Sequence, residues 1–162
     1  MVIAIDMVGT NLGSGTKTYN LNFCENLHKF NIENIIYIFI TKDYSKNVTQ
    51  NENSNIKYVI KSNILKNIFF RIFWMQLVLP FELKFLKVNQ LFSPMNMGPI
   101  SLGLLNIKFT LALHSNLPWV YFSKMPGNIL RNFLTKYFME ISIQTVKLVA
   151  SIRFLKKYFL RN

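Results

Sequence analysis

Short apolar runs and helix-spaced segments alternate along this chain, and that alternation admits few architectures. Val2 to Met7 is apolar, rich in β-branched residues and closed by a glycine, the pattern of a buried strand. From Thr16 to Phe30, residues Tyr19, Leu21, Phe23, Cys24 and Leu27 recur at helical spacing. Asn34 to Thr41 (NIIYIFIT) reads as a second strand, and NIKYVIK, ending at Lys61, as a third. The polar stretch between them has the composition of a surface loop. Ile64 to Lys87 is expected to form one long helix or two consecutive ones, because Pro80 has no N–H to continue the ladder. Further strands are expected in NQLFSP (Asn89 to Pro94), KFTLALH (Lys108 to His114) and VKLVAS (Val146 to Ser151). A helix is expected over Asn128 to Ile143, and another begins at Ile152.

Strands that alternate with helices require crossover connections, which are right-handed and build parallel sheets. The expected fold class is therefore α/β: one Rossmann-like domain over residues 1–162, with a mainly parallel sheet and helices on both faces. No internal repeat or linker divides the chain, and its length suits one domain with a full core.

Composition bounds the partners. Nineteen Lys+Arg against seven Asp+Glu leave a net charge of +12, which suits an anionic partner such as a phospholipid surface, a phosphorylated substrate or nucleic acid. Lys, Asn, Ile, Phe and Tyr also share AT-rich codons, so base composition is an alternative source of the lysine. The single cysteine, Cys24, excludes an internal disulfide framework and is expected to be a small buried apolar residue in a reducing compartment. The start is acidic at Asp6 and carries no basic leader. The greasiest stretch is interrupted by Arg71, Gln76, Pro80, Glu82 and Lys84, so it is not a membrane span. The expected location is cytoplasmic, with peripheral contact to the inner face of the cytoplasmic membrane as an extension. Two histidines, one cysteine and scattered acids offer no metal-ligand cluster, and no cofactor is expected.

The loop after the first strand carries Gly9, Gly13 and Gly15. Glycines there let backbone N–H groups approach a phosphate, and the following helix N-terminus adds a favourable dipole. Neither the triphosphate-loop pattern nor the dinucleotide fingerprint fits, so the residues by themselves leave a phosphate cradle and a tight turn both open.

The middle of the chain adds a second signal. Trp74, Gln76, Leu79 and Pro80 have W-x-Q-x-x-L-P spacing, and the strand beyond ends in Ser93-Pro94. With GSGTKTY (Gly13 to Tyr19) before them, and FTLALHS and VKLVASIRF after, this order resembles the N-terminal domain of family-4 retaining glycosyltransferases, which have two Rossmann domains. The chain departs from that pattern at Ser14, Phe92 and Ser115, where glycine, histidine and aspartate are common.

The resemblance implies a sugar transferred from a nucleotide-sugar donor to a glycan or lipid-linked acceptor. It implies that Gly13, Ser14 and Gly15 face the donor's phosphate and sugar, with Lys17 as a candidate phosphate contact. It makes His114 the catalytic candidate, donating a hydrogen bond to a sugar hydroxyl or a developing charge. It also implies that the basic-hydrophobic helix with Lys66 and Arg71, and Lys84 and Lys87 beyond the proline, rests on an anionic membrane. In the family the donor is held mainly by a second domain with paired glutamates, and no such signature occurs here. The chain alone is thus expected to be inactive, as a truncated product or one half of a split enzyme with a separate C-terminal half. The alternative is a non-catalytic basic module that binds membrane or other polyanion surfaces. Nucleic acid is disfavoured, because neither an RNP-like aromatic strand nor a G-x-x-G loop occurs.

Overall fold

A computed structural model describes residues 1–9, 15–27, 33–48, 55–114, 117–120, 122, 125, 128–145 and 148–151. They form an α/β unit around one six-stranded sheet in the order β3-β2-β1-β4-β5-β6, with every neighbouring pair parallel. The strands are β1 (Val2–Asp6), β2 (Ile35–Thr41), β3 (Ile56–Lys61), β4 (Gln90–Ser93), β5 (Lys108–Leu113) and β6 (Leu148–Ser151). The register is strict, with Ile5 opposite Ile38 on one side and Phe92 on the other. The expected fold class is the observed one.

Alternate residues of β1 to β4 enter different cores, as the two-residue strand period requires. Ile5, Ile36, Ile38 and Ile40 pack with Cys24 of α1 (Gly15–Leu27) and Tyr44 of α2 (Lys42–Ser45). Ala4, Phe39, Leu91 and Leu111 pack on the opposite face. There they meet Trp74, Met75, Leu79 and Leu83 from the β3–β4 crossover and Met139 of α6 (Ile129–Thr145). Cys24 is buried as expected; burial pushes its thiol up to about 12, which keeps it an unreactive hydrophobe.

The β3–β4 crossover shows how the chain accommodates Pro80. After a 3-10 turn at Asn63–Lys66, Asn67 caps α3 (Ile68–Phe73), its side-chain oxygen accepting the Phe69 N–H at 2.9 Å. A π-helical turn over Trp74–Val78 then leads into α4 (Leu79–Phe85), with Pro80 near its start. The wider turn relieves the clash between the proline ring and the carbonyl four residues back, so the helix is neither broken nor split. The stretch after Thr41, read as pure loop, begins instead with the short α2. A 3-10 turn over Ile100–Leu105 lies between β4 and β5, and α5 (Leu117–Val120) follows β5. The helix expected from Ile152 lies outside the described residues. No described helix is long and apolar enough to cross a membrane.

Candidate functional site at the sheet's carboxyl edge

The strand order reverses direction between β1 and β4, so the chain leaves their carboxyl ends toward opposite sides. Parallel sheets open a crevice at such a point. Asp6 ends β1, Ser93 ends β4, and His114 follows the last residue of β5 on the same edge. The first turn of α1, with Gly15 and the half-buried Lys17, begins there too, because α1 runs back from the end of β1. Gly13 and Ser14 lie outside the described residues.

His114 is held from two sides. Its backbone N–H donates to Asn96 Oδ1 at 2.6 Å, and Asn96 adopts a left-handed backbone (φ 64°) that asparagine tolerates better than most residues. One ring N–H bonds the Pro94 backbone, whereas Nε2 is buried without a hydrogen-bond partner. That arrangement is satisfied by a ring protonated on Nδ1. Burial lowers the imidazole below its usual range, the Pro94 bond partly opposing it, so the ring is neutral at pH 7. A neutral ring protonated on Nδ1 presents a lone pair at Nε2. In that tautomer Nε2 is an acceptor, whereas the resemblance implied a ring that donates. Tyr19 of α1 meets the ring edge-on, with centroids 4.6 Å apart.

Two strands away on the same edge, at the end of β1, lies a buried pair of opposite charges. Asp6 is fully buried, its Oδ1 accepts the Val8 N–H at 3.0 Å, and Oδ2 has no hydrogen-bond partner. Burial pushes its carboxyl up to about 6, against the lowering pull of Arg71 and the Val8 N–H. Arg71 is only 7 % exposed, and its Nε and Nη2 also lack partners. The membrane-facing role expected for Arg71 is thus overturned. It lies on the inner side of α3, where the Asp6 carboxylate offsets part of its desolvation. Lys66 forms an ion pair with Asp43, so of the expected basic row only Lys84 and Lys87 remain as exposed cations without a described partner.

The W-x-Q-x-x-L-P residues have structural work at this edge and beneath it. Trp74 packs against Phe39 at 6.0 Å between ring centroids. Gln76 donates to the Gly98 carbonyl at 3.2 Å and accepts the Ile100 N–H at 3.0 Å, fastening the segment after β4 to the helix. Sequence reasoning missed Asp6 and Asn96 as site residues. Asp6 was legible as the one acid in an otherwise apolar strand, at its carboxyl end. Asn96 carried no signal before its left-handed backbone was seen. Among the described residues no group of three or more His, Cys, Asp or Glu is placed to hold a metal.

No family model, curated protein or solved structure matches the chain.

Proposed function

We propose that this domain is one wall of a sugar-transfer cleft, the N-terminal half of a glycosyltransferase that moves a sugar from a nucleotide-sugar to a glycan or lipid-linked acceptor. The observation that carries the reading is His114, a neutral imidazole held at the Pro94 backbone, with Nε2 buried and without a hydrogen-bond partner. It stands at the carboxyl edge of a parallel sheet beside the point where strand order reverses. That chemistry suits a neutral hydroxylated ligand, whose O–H would donate to Nε2 when the side chains that bury this atom move aside. The α1 N-terminus on the same edge favours a phosphate close by. Stabilising the charge that develops between sugar and diphosphate takes positioned groups on both sides of the bond. A single wall is accordingly expected to bind weakly and to turn over negligibly until it is joined by a second domain or subunit.

The test is titration of nucleotide-sugars, with the free nucleotides and free sugars as references, into the ¹⁵N-labelled chain. Saturable shifts at His114, Asn96 and Gly9, abolished by His114→Ala in a variant with an unchanged spectrum elsewhere, are the expected result. Shifts confined to lysines, equal for any polyanion and erased by moderate salt, would replace this reading with the basic binding module.

A further inference from the structure

The β3–β4 crossover helix is apolar on two sides. Trp74, Met75, Leu79 and Leu83 turn into the core, yet Phe70, Phe73, Leu77, Phe81 and Phe85 stand exposed, Phe81 at 74 % and Phe85 at 86 %. Spacings of three and four residues keep these five on one outer stripe. Next to its Phe85 end, an apolar groove of about 390 Å³ opens between α4 and the edge strand β3, lined by Phe39, Val59, Phe81, Phe85 and Leu86 with the Lys61–Glu82 pair. An exposed aromatic surface of this extent marks an interaction site.

We propose that the stripe is the interface of a homodimer, in which the crossover helices of two copies pack antiparallel across a two-fold axis at Leu77. The spacing of the exposed apolar residues, though not the sequence between them, is nearly symmetric about that residue. Phe73 and Phe81 each lie four positions away, and Phe70 and Phe85 lie seven and eight. A two-fold axis there sets Phe73 against Phe81 of the other copy, and Phe70 against its Phe85 and the adjoining groove. One patch thus meets itself, as a two-fold interface requires.

Charge and area agree with this occupant. Lys61 and Lys66 are paired with Glu82 and Asp43, and Arg71 is buried. The remaining cations, Lys84 and Lys87, sit at one end of the stripe. Antiparallel packing sends the two copies' lysines to opposite ends, where they form a charged rim. An anionic membrane would instead be served by cations along the whole stripe. Whole aromatic side chains offer about 150–250 Å² each, so the exposed parts of the stripe and its flanks supply on the order of 600 Å² per copy. A standard interface buries about 800 Å² per partner, rim included.

Sedimentation velocity over a wide concentration range tests the proposal, alongside cysteine trapping in the full chain. Cys24 is buried and does not compete for oxidation. A reversible dimer is expected. Leu77→Cys should cross-link to itself on oxidation, and Phe85→Cys should cross-link to Phe70→Cys in a mixture. Phe81→Glu, at an exposed position, should leave the circular dichroism unchanged and weaken the dimer at least about thirtyfold. A monomer at every concentration would overturn the proposal, whether or not it floats with anionic vesicles. So would a dimer that Leu77→Cys fails to trap.

Discussion

The guanidinium of Arg71 occupies the space that a side chain at Gly9 would need: Nη1 lies 2.7 Å, and Cδ and Cζ 2.8 Å, from the position of a Cβ there. Gly9 also has φ +88°, a conformation L-residues rarely adopt. A residue on the crossover helix thereby dictates that the turn leaving β1 be glycine. Gly9→Ala combines backbone strain with displacement of a buried cation, and a loss of about 2–4 kcal/mol is expected in urea unfolding. Shortening the opposing side chain removes the clash, so the same glycine change made in an Arg71→Ala background should cost clearly less. Equal costs in the two backgrounds would show that the contact is unimportant.

The partner of that arginine gives the fold a pH dependence of definite sign. Asp6 has a carboxyl pushed from 3.8 to about 6 in the folded chain, so between those values the folded state holds a proton that the unfolded state has released. Its contribution is complete below the unfolded value and is lost as pH rises through about 6. At about 1.4 kcal/mol per unit, the swing is on the order of 2–3 kcal/mol. His114 works in the opposite direction, since its lowered imidazole favours the folded state above its usual range and that advantage fades on acidification. Comparison with Asp6→Asn isolates the carboxyl. Between pH 7.5 and 5, the stability of the unsubstituted chain should rise relative to the variant, by calorimetry or urea titration; parallel curves would contradict the buried, raised carboxyl.

The tautomer of His114 is open to direct observation. With Nδ1–H bonded at Pro94 and Nε2 bare, long-range ¹H–¹⁵N spectra at pH 7.5 should show a protonated Nδ1 and an unprotonated Nε2. The ring should titrate below the usual histidine range. Asn96→Ala removes the acceptor for the His114 backbone N–H and strains a left-handed position, so it should move the imidazole toward ordinary titration. Asn96→Gly keeps the backbone permissive and separates the two effects. A ring protonated mainly on Nε2 would remove the acceptor on which the sugar-hydroxyl reading depends.

What the sequence disclosed and what it withheld follow from the range of the forces involved. The alternation of VIAID, IIYIFIT and IKYVIK with helix-spaced segments made the parallel sheet legible, because burial on both faces leaves continuous apolar runs. Cys24 was legible as core for the same reason. Arg71 was not: between Phe70 and Ile72 it reads as the polar interruption of a greasy helix, and only the packing of that helix over β1 brings it to Asp6. Pro80 announced a break, but a π turn just upstream absorbs the disturbance within one helix. His114 was found through the strand that ends before it. Which nitrogen carries its proton depends on Pro94, twenty residues earlier in the chain, and no local pattern encodes that.

The segment between β4 and β5, which supplies Asn96 to the site, is anchored from α6 by one hydroxyl. Ser142 Oγ accepts the Gly98 N–H at 3.0 Å and donates to a carbonyl, Phe138 at 2.6 Å being the shorter of two choices. The site is fully buried, and Phe109 fills the space beside Gly98 so tightly that its Cζ would lie 2.0 Å from an added Cβ. Ser142→Ala leaves the Gly98 N–H buried without that partner, which should cost about 1–3 kcal/mol. Ser142→Val puts apolar bulk into the same closed space and should cost more. Because the segment leads back to Asn96, the alanine variant should also perturb the His114 amide resonance while leaving α1 signals such as Cys24 in place. A stability loss with no change at His114 would mean that Ser142 supports the fold alone and does not position the site.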